Sequence, residues 1–412
     1  MSQVAAMDIG STKVVVALAD VEESGLLRVL AVGSAPNEGV RSGTVVDIET
    51  TAQAILQAVR QCEQMADRKL DSVVLGVTGE HISGSRSPGI VPIVPAGRTI
   101  TSEDVHRVIT HSKQIPIPAE RQLLHVVPVS FKVDGQAGVT KPVGMNGERL
   151  EVEAYLVTGL KSHILNLERC VNRAQIEVEE VVLQPLATSE SVTAPSDRQA
   201  GCAVVDIGGY STDVAVFRQG GITNSSIVPI GGSHITGDLV KLLKTTPEEA
   251  ERLKLQFGSC IPSDSGEKEA VVVRQIGMEK PRPMARRVFC EIIEARAEEN
   301  LTLVRDWILK VASWEDLNAG VVLTGGGAAL TGLDRLAARV FNDVPIRVAK
   351  PTPLHGLGDV VSGYEHAAIV GLLKHAQRSA LARQEGPEAK GIRRLMNTIG
   401  SVFGSKGRED IP

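Results

Sequence analysis

Two stretches nearly two hundred residues apart carry one pattern. Val4 to Asp20 reads VAAMDIGSTKVVVALAD, and Cys202 to Phe217 reads CAVVDIGGYSTDVAVF. Each is an apolar run, an Asp-Ile-Gly turn with hydroxyl side chains, and a second apolar run, which is the pattern of a β-hairpin. A single Asp-x-Gly-Ser turn would be an ordinary conformational choice, because Asp, Gly and Ser are turn residues for backbone reasons alone. Its recurrence between strands of Val, Ile and Ala predicts an α/β chain built from two related halves. Asp8 and Asp206 end the first strand of each copy. Gly10, Gly208 and Gly209 let backbone amides approach a ligand, and Ser11, Thr12, Ser211 and Thr212 supply further donors. Such turns suit a phosphate.

A third element, AGVVLTGGGAAL from Ala319 to Leu330, runs an apolar strand into Gly325, Gly326 and Gly327 and then into a helix. A lone glycine triplet after a strand is usually a tight turn. Behind two phosphate turns, it predicts a place where the backbone can lie against a nucleotide. The length of 412 residues, 42% hydrophobic, allows more than one core. A net charge of −5 is too mild for a general nucleic-acid surface, and 3% aromatic residues leave no stacking platform, so no nucleic-acid partner is expected. The five scattered cysteines form no Cys-x-x-Cys pair and are expected to be reduced and structural. No leader or membrane span is legible, which predicts a cytoplasmic location.

These residues resemble the superfamily of actin, Hsp70 and sugar-kinase ATPases, and within it the chain is most similar to the bacterial FtsA cell-division family. The stretches that carry the resemblance are DIGSTK (8–13), TGEHISG (78–84), LLHVVPVSF (123–131), KPVGMNGERLEVEAYLVTG (141–159), VVDIGGYSTDVAVF and GVVLTGGGAAL. It implies an actin-like ATPase fold, two lobes around a nucleotide cleft, with a small inserted α+β subdomain in the first lobe. The implied division is a first-lobe core at 1–81, the insert at 82–160, and a return to the first lobe at 161–200. A second-lobe core at 201–232, a helical subdomain at 233–316 and further second-lobe core at 317–376 follow. A linker at 377–390, an amphipathic helix at 391–404 and a tail at 405–412 complete it.

The resemblance also implies roles. ATP and Mg²⁺ are the expected cofactors, with Asp8 and Asp206 facing the cation largely through water and Lys13 approaching the phosphates. Gly237 and Asp238 are expected to open a helix, while Glu251 and Lys254, three apart on another helix, share a face that lies against adenine and ribose. Gln184 matches the position of a residue that orients the attacking water. Tyr210 stands where many relatives carry a third glycine, so a bulky ring is expected near the phosphates and turnover is expected to be slow at most. The implied function is to polymerise and to anchor filaments of the tubulin-like FtsZ to the cytoplasmic face of the membrane, with the insert joining self-association and later division proteins. A pilus-assembly actin-like adaptor is one alternative, and a phosphotransferase of the sugar-kinase type is the alternative from another functional class.

The C-terminal residues add a separate physical reading. QEGPEAK (384–390) is polar and broken by Gly-Pro. Beyond it Ile392, Leu395, Met396, Ile399, Val402 and Phe403 recur at the spacing of one helical face, with Arg393 and Arg394 off it and Lys390 and Lys406 at the ends. That predicts an interfacial helix for anionic membrane lipids, each basic residue contributing about 1 kcal/mol. Finally, RPMARRVFCEIIEARAEENLTLV is predicted as one long helix whose Arg286, Arg287 and Arg296 would receive the acidic C-terminal peptide of FtsZ.

Overall fold

The computed structural model describes residues 2–384 apart from 267 and 343. The predicted membrane helix, with Ile392, Arg393, Arg394, Leu395, Met396, Ile399, Val402 and Phe403, lies outside the described residues. Two sheets repeat one plan. In the first, the strands Ser2–Ile9 and Lys13–Val21 pair antiparallel, Asp8 opposite Val15, and Leu27–Pro36 extends the hairpin. Ser72–Val77 and Glu177–Leu183 then add in parallel on the other side. In the second, Cys202–Ile207 and Thr212–Arg218 pair antiparallel, Gly221–Val228 extends them, and Val321–Thr324 and Ile346–Val348 add in parallel. The internal echo in the sequence is therefore a repeat of strand order.

Alternation along the strands explains the layers. Met7, Val14, Val16 and Leu75 point to one face of the first sheet, where they pack with Ile55 and Val59 of helix Ile48–Ala66 and Val171 of helix Lys161–Arg173. Ala6, Val15, Ala17 and Val74 point to the other, onto Ile369, Leu372 and Leu373 of helix Ala367–Gln384. Each such Val, Leu or Ile contributes roughly 1.5–3 kcal/mol by leaving water. Helix Ile48–Ala66 begins where Asp47 accepts from the amides of Glu49 and Thr50. Helix Ala367–Gln384 also packs tightly on helix Gln184–Val192. A methyl on Gly371 would sit 1.9 Å from the carbonyl oxygen of Ala187, so only glycine allows that approach.

Between Ser72–Val77 and Lys161–Arg173 the chain leaves the first lobe and builds a separate four-stranded sheet. Its order is Ile82–Pro92, Arg149–Leu160, Arg121–Val133, Gln136–Val139. Helix Ser102–Ser112 covers one face, started by a capping box in which Thr101 is the cap. Asp104 closes that box and also receives Arg98 and Arg107 at 2.6–2.8 Å, which holds its carboxyl well below the usual carboxylate range.

Three boundaries differ from those expected. Residues 282–285 are a strand, Arg282–Ala285, paired with Ala270–Val273, and the long helix begins only at Arg286. Pro283 disfavours a helical conformation at the residue before it, which is why the apolar pattern starts before the helix does. Gly237 and Asp238 lie inside helix Gly232–Leu243 rather than opening it. The stretch 377–390 expected as linker is helical as far as Gln384, because Ala376 and Ala380 are buried in the first-lobe core.

Candidate functional site

The two acidic turns face each other. Both close in the same way: the amide of Gly10 donates to the carbonyl of Lys13 at 3.0 Å, and that of Gly208 to Ser211 at 2.9 Å. Asn37, buried beneath the first turn, donates from its side chain to the Gly10 carbonyl at 2.8 Å and from its amide to Thr12. The second turn is held by the first amides of helix Gly232–Leu243: Gly232 N–H reaches Gly208 O and Ser233 N–H reaches Gly209 O. The turns touch at Gly209, where a Cβ would lie 2.4 Å from the Thr12 methyl.

One cleft between them is lined by Asp8, Gly10, Ser11, Thr12, Lys13, Gln184, Asp206, Gly208, Gly209 and Ser211, with an empty volume of about 690 Å³ including its open mouth. The glycine triplet packs beneath it. A Cβ on Gly325 would meet Asp206 Oδ1 at 2.2 Å, one on Gly327 the Ile207 side chain at 2.3 Å, and Gly325 has φ +85°, a conformation that favours glycine. Gly326 faces Glu365. All three predicted elements thus converge on one place.

The cleft is short of positive charge. Burial raises the Asp8 carboxyl to about 7, with Asp206 adding repulsion and Lys13 opposing it. Burial likewise lifts Asp206 to about 6 although Thr188 donates to its Oδ2 at 3.0 Å. Asp213, one residue after the second turn, is lifted to about 8, chiefly by burial, with Asp206 and Asp8 adding to it while a hydrogen bond from the Thr78 hydroxyl opposes. Asp8 Oδ1 is buried and has no hydrogen-bond partner among the described residues. No three acidic, His or Cys side chains are grouped to hold a metal by themselves among the described residues, but the buried Asp8 and Asp206 carboxyls, one with an orphaned oxygen, suit Mg²⁺, which uses one or two carboxylates beside phosphate oxygens and water. Lys13 is the nearby cation, its ammonium 3.5 Å from His366 Nε2; burial lowers its pKa while Glu365 and Asp8 favour its charge. The glycine-rich turns and Lys13 suit phosphates. Gln184, at the start of its helix, exposes an amide with no hydrogen bond among the described residues.

Other predicted residues fall differently. Thr212 is corrected: its hydroxyl is buried, donating to Ile230 O at 2.7 Å and accepting from Asn300 at 2.8 Å, and is not free for phosphate. The Tyr210 ring turns from the cleft toward His234 and under Arg41, so its bulk does not crowd the phosphate turns. Glu251 and Lys254 do share a face, paired at 2.7 Å, with Lys254 donating to Gly232 O and Thr236. Asp238 is engaged by Arg296 through two bonds, of 2.6 and 3.1 Å, which joins an expected nucleotide residue to an expected partner residue. Arg286 holds Glu269 and the Phe257 carbonyl, and Arg287 is the most exposed of the three, touching Glu291.

Sequence reasoning missed Asp213, Thr78, Asn37 and the Tyr364–His366 segment. Asp213 was legible as a lone acid at the start of a strand otherwise of Val, Ala and Phe. The others reach the cleft only through long-range packing.

Known proteins share this arrangement. The family described as Cell division protein FtsA matches residues 203–371, and the SHS2 domain inserted in FTSA matches 79–158. Solved structures with the same fold include a PilM–PilN type IV pilus biogenesis complex (TM-score 0.61, 15% identity, covering 91% of this chain and 98% of that one). Another is MreB5 of Spiroplasma citri bound to ADP (TM-score 0.59, 13% identity, 94% and 99%). The fold is therefore actin-like. Cell division protein FtsA of Pseudomonas aeruginosa is 36% identical over 370 residues, 90% of this chain and 88% of its own length. That of Escherichia coli (strain K12) is 33% identical over 405 residues, 97% and 95%. With identity of this extent running through both lobes and the insert, the chain belongs to the FtsA family of cell division proteins.

Proposed function

We propose that this protein binds ATP with Mg²⁺ between its two acidic turns, self-associates, and tethers FtsZ filaments to the cytoplasmic face of the membrane through its last helix. The observation that carries the reading is the convergence of Asp8, Asp206, the glycine turns and Lys13 on one cleft short of positive charge. Asp8 and Asp206 hold the cation, the turn amides with Lys13 hold phosphate oxygens, and the bound cation supplies the positive charge that the cleft lacks. Gly325 to Gly327 and the Glu251–Lys254 face border the nucleoside. Gln184 orients a water, turnover is slow at most, and nucleotide acts by biasing one assembly state through its differential affinity.

The membrane contact belongs to 391–404. No helix among the described residues is long and apolar enough to cross a membrane, so a peripheral contact accords with the basic amphipathic pattern in the sequence. One short helix binds weakly, and self-association presents several together. The helical subdomain with Arg286, Arg287 and Arg296 receives the FtsZ peptide, and the insert serves self-association and later division proteins. Arg287 is the most available of the arginines, its side chain 69% exposed.

Sedimentation with anionic liposomes in the presence of ATP tests the tether. The full chain should pellet with the vesicles and a chain ending at Lys390 should remain in the supernatant. Equal recovery of the two removes the anchor.

A further inference from the structure

The insert is joined to the first lobe by two adjacent crossings. Chain enters it through Thr78, Gly79, Glu80 and His81, and leaves by strand Arg149–Leu160, which runs directly into helix Lys161–Arg173. Ile82 pairs with Gly159 and Ser83 with Thr158, so the crossings lie side by side. Arg121 fastens them together, donating to His81 O at 2.8 Å, Thr158 O at 2.9 Å and Thr158 Oγ1 at 2.9 Å. The His81 ring is buried, stacked on His163 with centroids 4.7 Å apart, and neither of its nitrogens has a hydrogen-bond partner among the described residues. It is held by ring contact, which tolerates sliding better than directed bonds do. Gly79 has φ +139°, and a Cβ there would meet the His81 ring at 2.9 Å, so the lead-in pivots at a residue that only glycine fills easily.

The insert also reaches across to the second lobe. Tyr155 Oη accepts from the Ser225 amide at 3.0 Å and lies 3.1 Å from its hydroxyl, on the edge strand Gly221–Val228. Nearer the cleft, the Thr78 hydroxyl donates to Asp213. Between the two contacts is a gap lined by Thr78, Glu80, Ile82, Leu183, Asp213 and Ile227, and beside it Val127, Val129 and Val157 of the insert pack with Phe217 and Ile222 of the second lobe in one apolar cluster, so the polar contacts sit at the rim of a packed seam. Thr78 both lines the cleft and stands four residues before the inserted sheet.

We propose that the inserted subdomain is geared to the spacing of the two lobes by the Thr78–Asp213 and Tyr155–Ser225 hydrogen bonds, so that nucleotide in the cleft resets the orientation of the insert. The inference rests on the nucleotide reading above and names its regulation. A ligand that draws Asp8 and Asp206 toward a shared cation shifts Asp213 with the second turn. That shift pulls Thr78 and, through Gly79, the fastened pair of crossings. The insert then swings as one body, with Tyr155 on Ser225 as its outer bearing.

Hydrogen–deuterium exchange of the full chain, with and without saturating ATP and Mg²⁺, tests this. In the wild type, amides of 82–92 and 149–159 should change exchange rate about fivefold on saturation, the scale of one hydrogen bond of ~1 kcal/mol. Thr78→Ser, which keeps the hydroxyl, should respond likewise, while Thr78→Val should lose the response at its own saturating nucleotide concentration. Tyr155→Phe should retain wild-type nucleotide affinity and show a diminished response, and it carries the test if Thr78→Val does not fold. An undiminished response in either Thr78→Val or Tyr155→Phe overturns the gearing. So does a saturated wild type whose insert does not respond, with nucleotide binding left standing. A wild type that binds no nucleotide in calorimetry overturns both readings.

Discussion

Asp213→Asn isolates the electrostatics of the ligand-free cleft. Unfolded, the carboxyl titrates near 4; folded, burial holds its proton to about 8. Because the folded value is the higher one, the native state binds the extra proton, and the stabilisation this brings is present at low pH and lost as pH rises through 8. Between pH 5 and 7 the native chain carries about one more proton at this site than the unfolded chain. Stability should therefore fall by roughly 1.4 kcal/mol per unit, or about 2.5 kcal/mol over the interval. The asparagine does not titrate, and because Asp213 is itself uncharged over this interval its replacement leaves the charge around Asp8 unaltered. The difference between wild type and variant in their pH 5 to 7 change should thus be about 2.5 kcal/mol. Urea unfolding at pH 5, 6 and 7 in EDTA without nucleotide reads it directly, from midpoint and slope. Profiles that run parallel within about 0.5 kcal/mol would refute the reasoning. Saturating Mg²⁺ and ATP should reverse the trend, because a bound cation favours ionised carboxyls and its affinity rises with pH.

Gly209→Ala puts a methyl 2.4 Å from the Thr12 methyl and should weaken ATP binding at least about tenfold by forcing the turns apart. Thr12→Ser in the same chain removes that methyl and should restore most of the affinity, as read by calorimetry. Gln184→Ala should lower ATP turnover by about tenfold or more with little change in ATP affinity, since its amide is free for a water; unchanged turnover removes it from that role. Gly371→Ala should destabilise by about 1–3 kcal/mol, because its methyl would strike the Ala187 carbonyl at 1.9 Å, and thermal unfolding measures it.

The duplicated hairpins were legible because their information is local. Strand, Asp, Gly and hydroxyl lie within some sixteen residues, and the antiparallel partner is the next strand, so pattern and pairing coincide at Asp8 opposite Val15 and Asp206 opposite Asp213. The start of helix Ser102–Ser112 is encoded just as locally, by Thr101 and Asp104 three residues apart. The errors also have local causes. Apolar periodicity does not encode where a helix begins, so Gly237 and Asp238 were set at a start that the amides of Gly232 and Ser233 define by bonding to the second turn. Thr212 looked like a phosphate donor because nothing in its neighbourhood predicts Asn300, 88 residues away, as its partner.

What the sequence withheld was the pairing of distant charges, and that pairing decides which charged residues are free to act. Asp238 and Arg296 were read separately, one toward nucleotide and one toward a partner peptide, yet they are 58 residues apart and bonded to each other. Their bond ties helix Gly232–Leu243, whose first amides hold the second phosphate turn, to helix Arg286–Val311. A peptide carboxylate that takes Arg296 must first compete with Asp238, at a site where charge-assisted bonds contribute about 1.5–3 kcal/mol. Arg287, whose bond to Glu291 is a single exposed i,i+4 pair of little strength, carries no such cost. Free charge on this surface is thus set by long-range pairing in the folded chain.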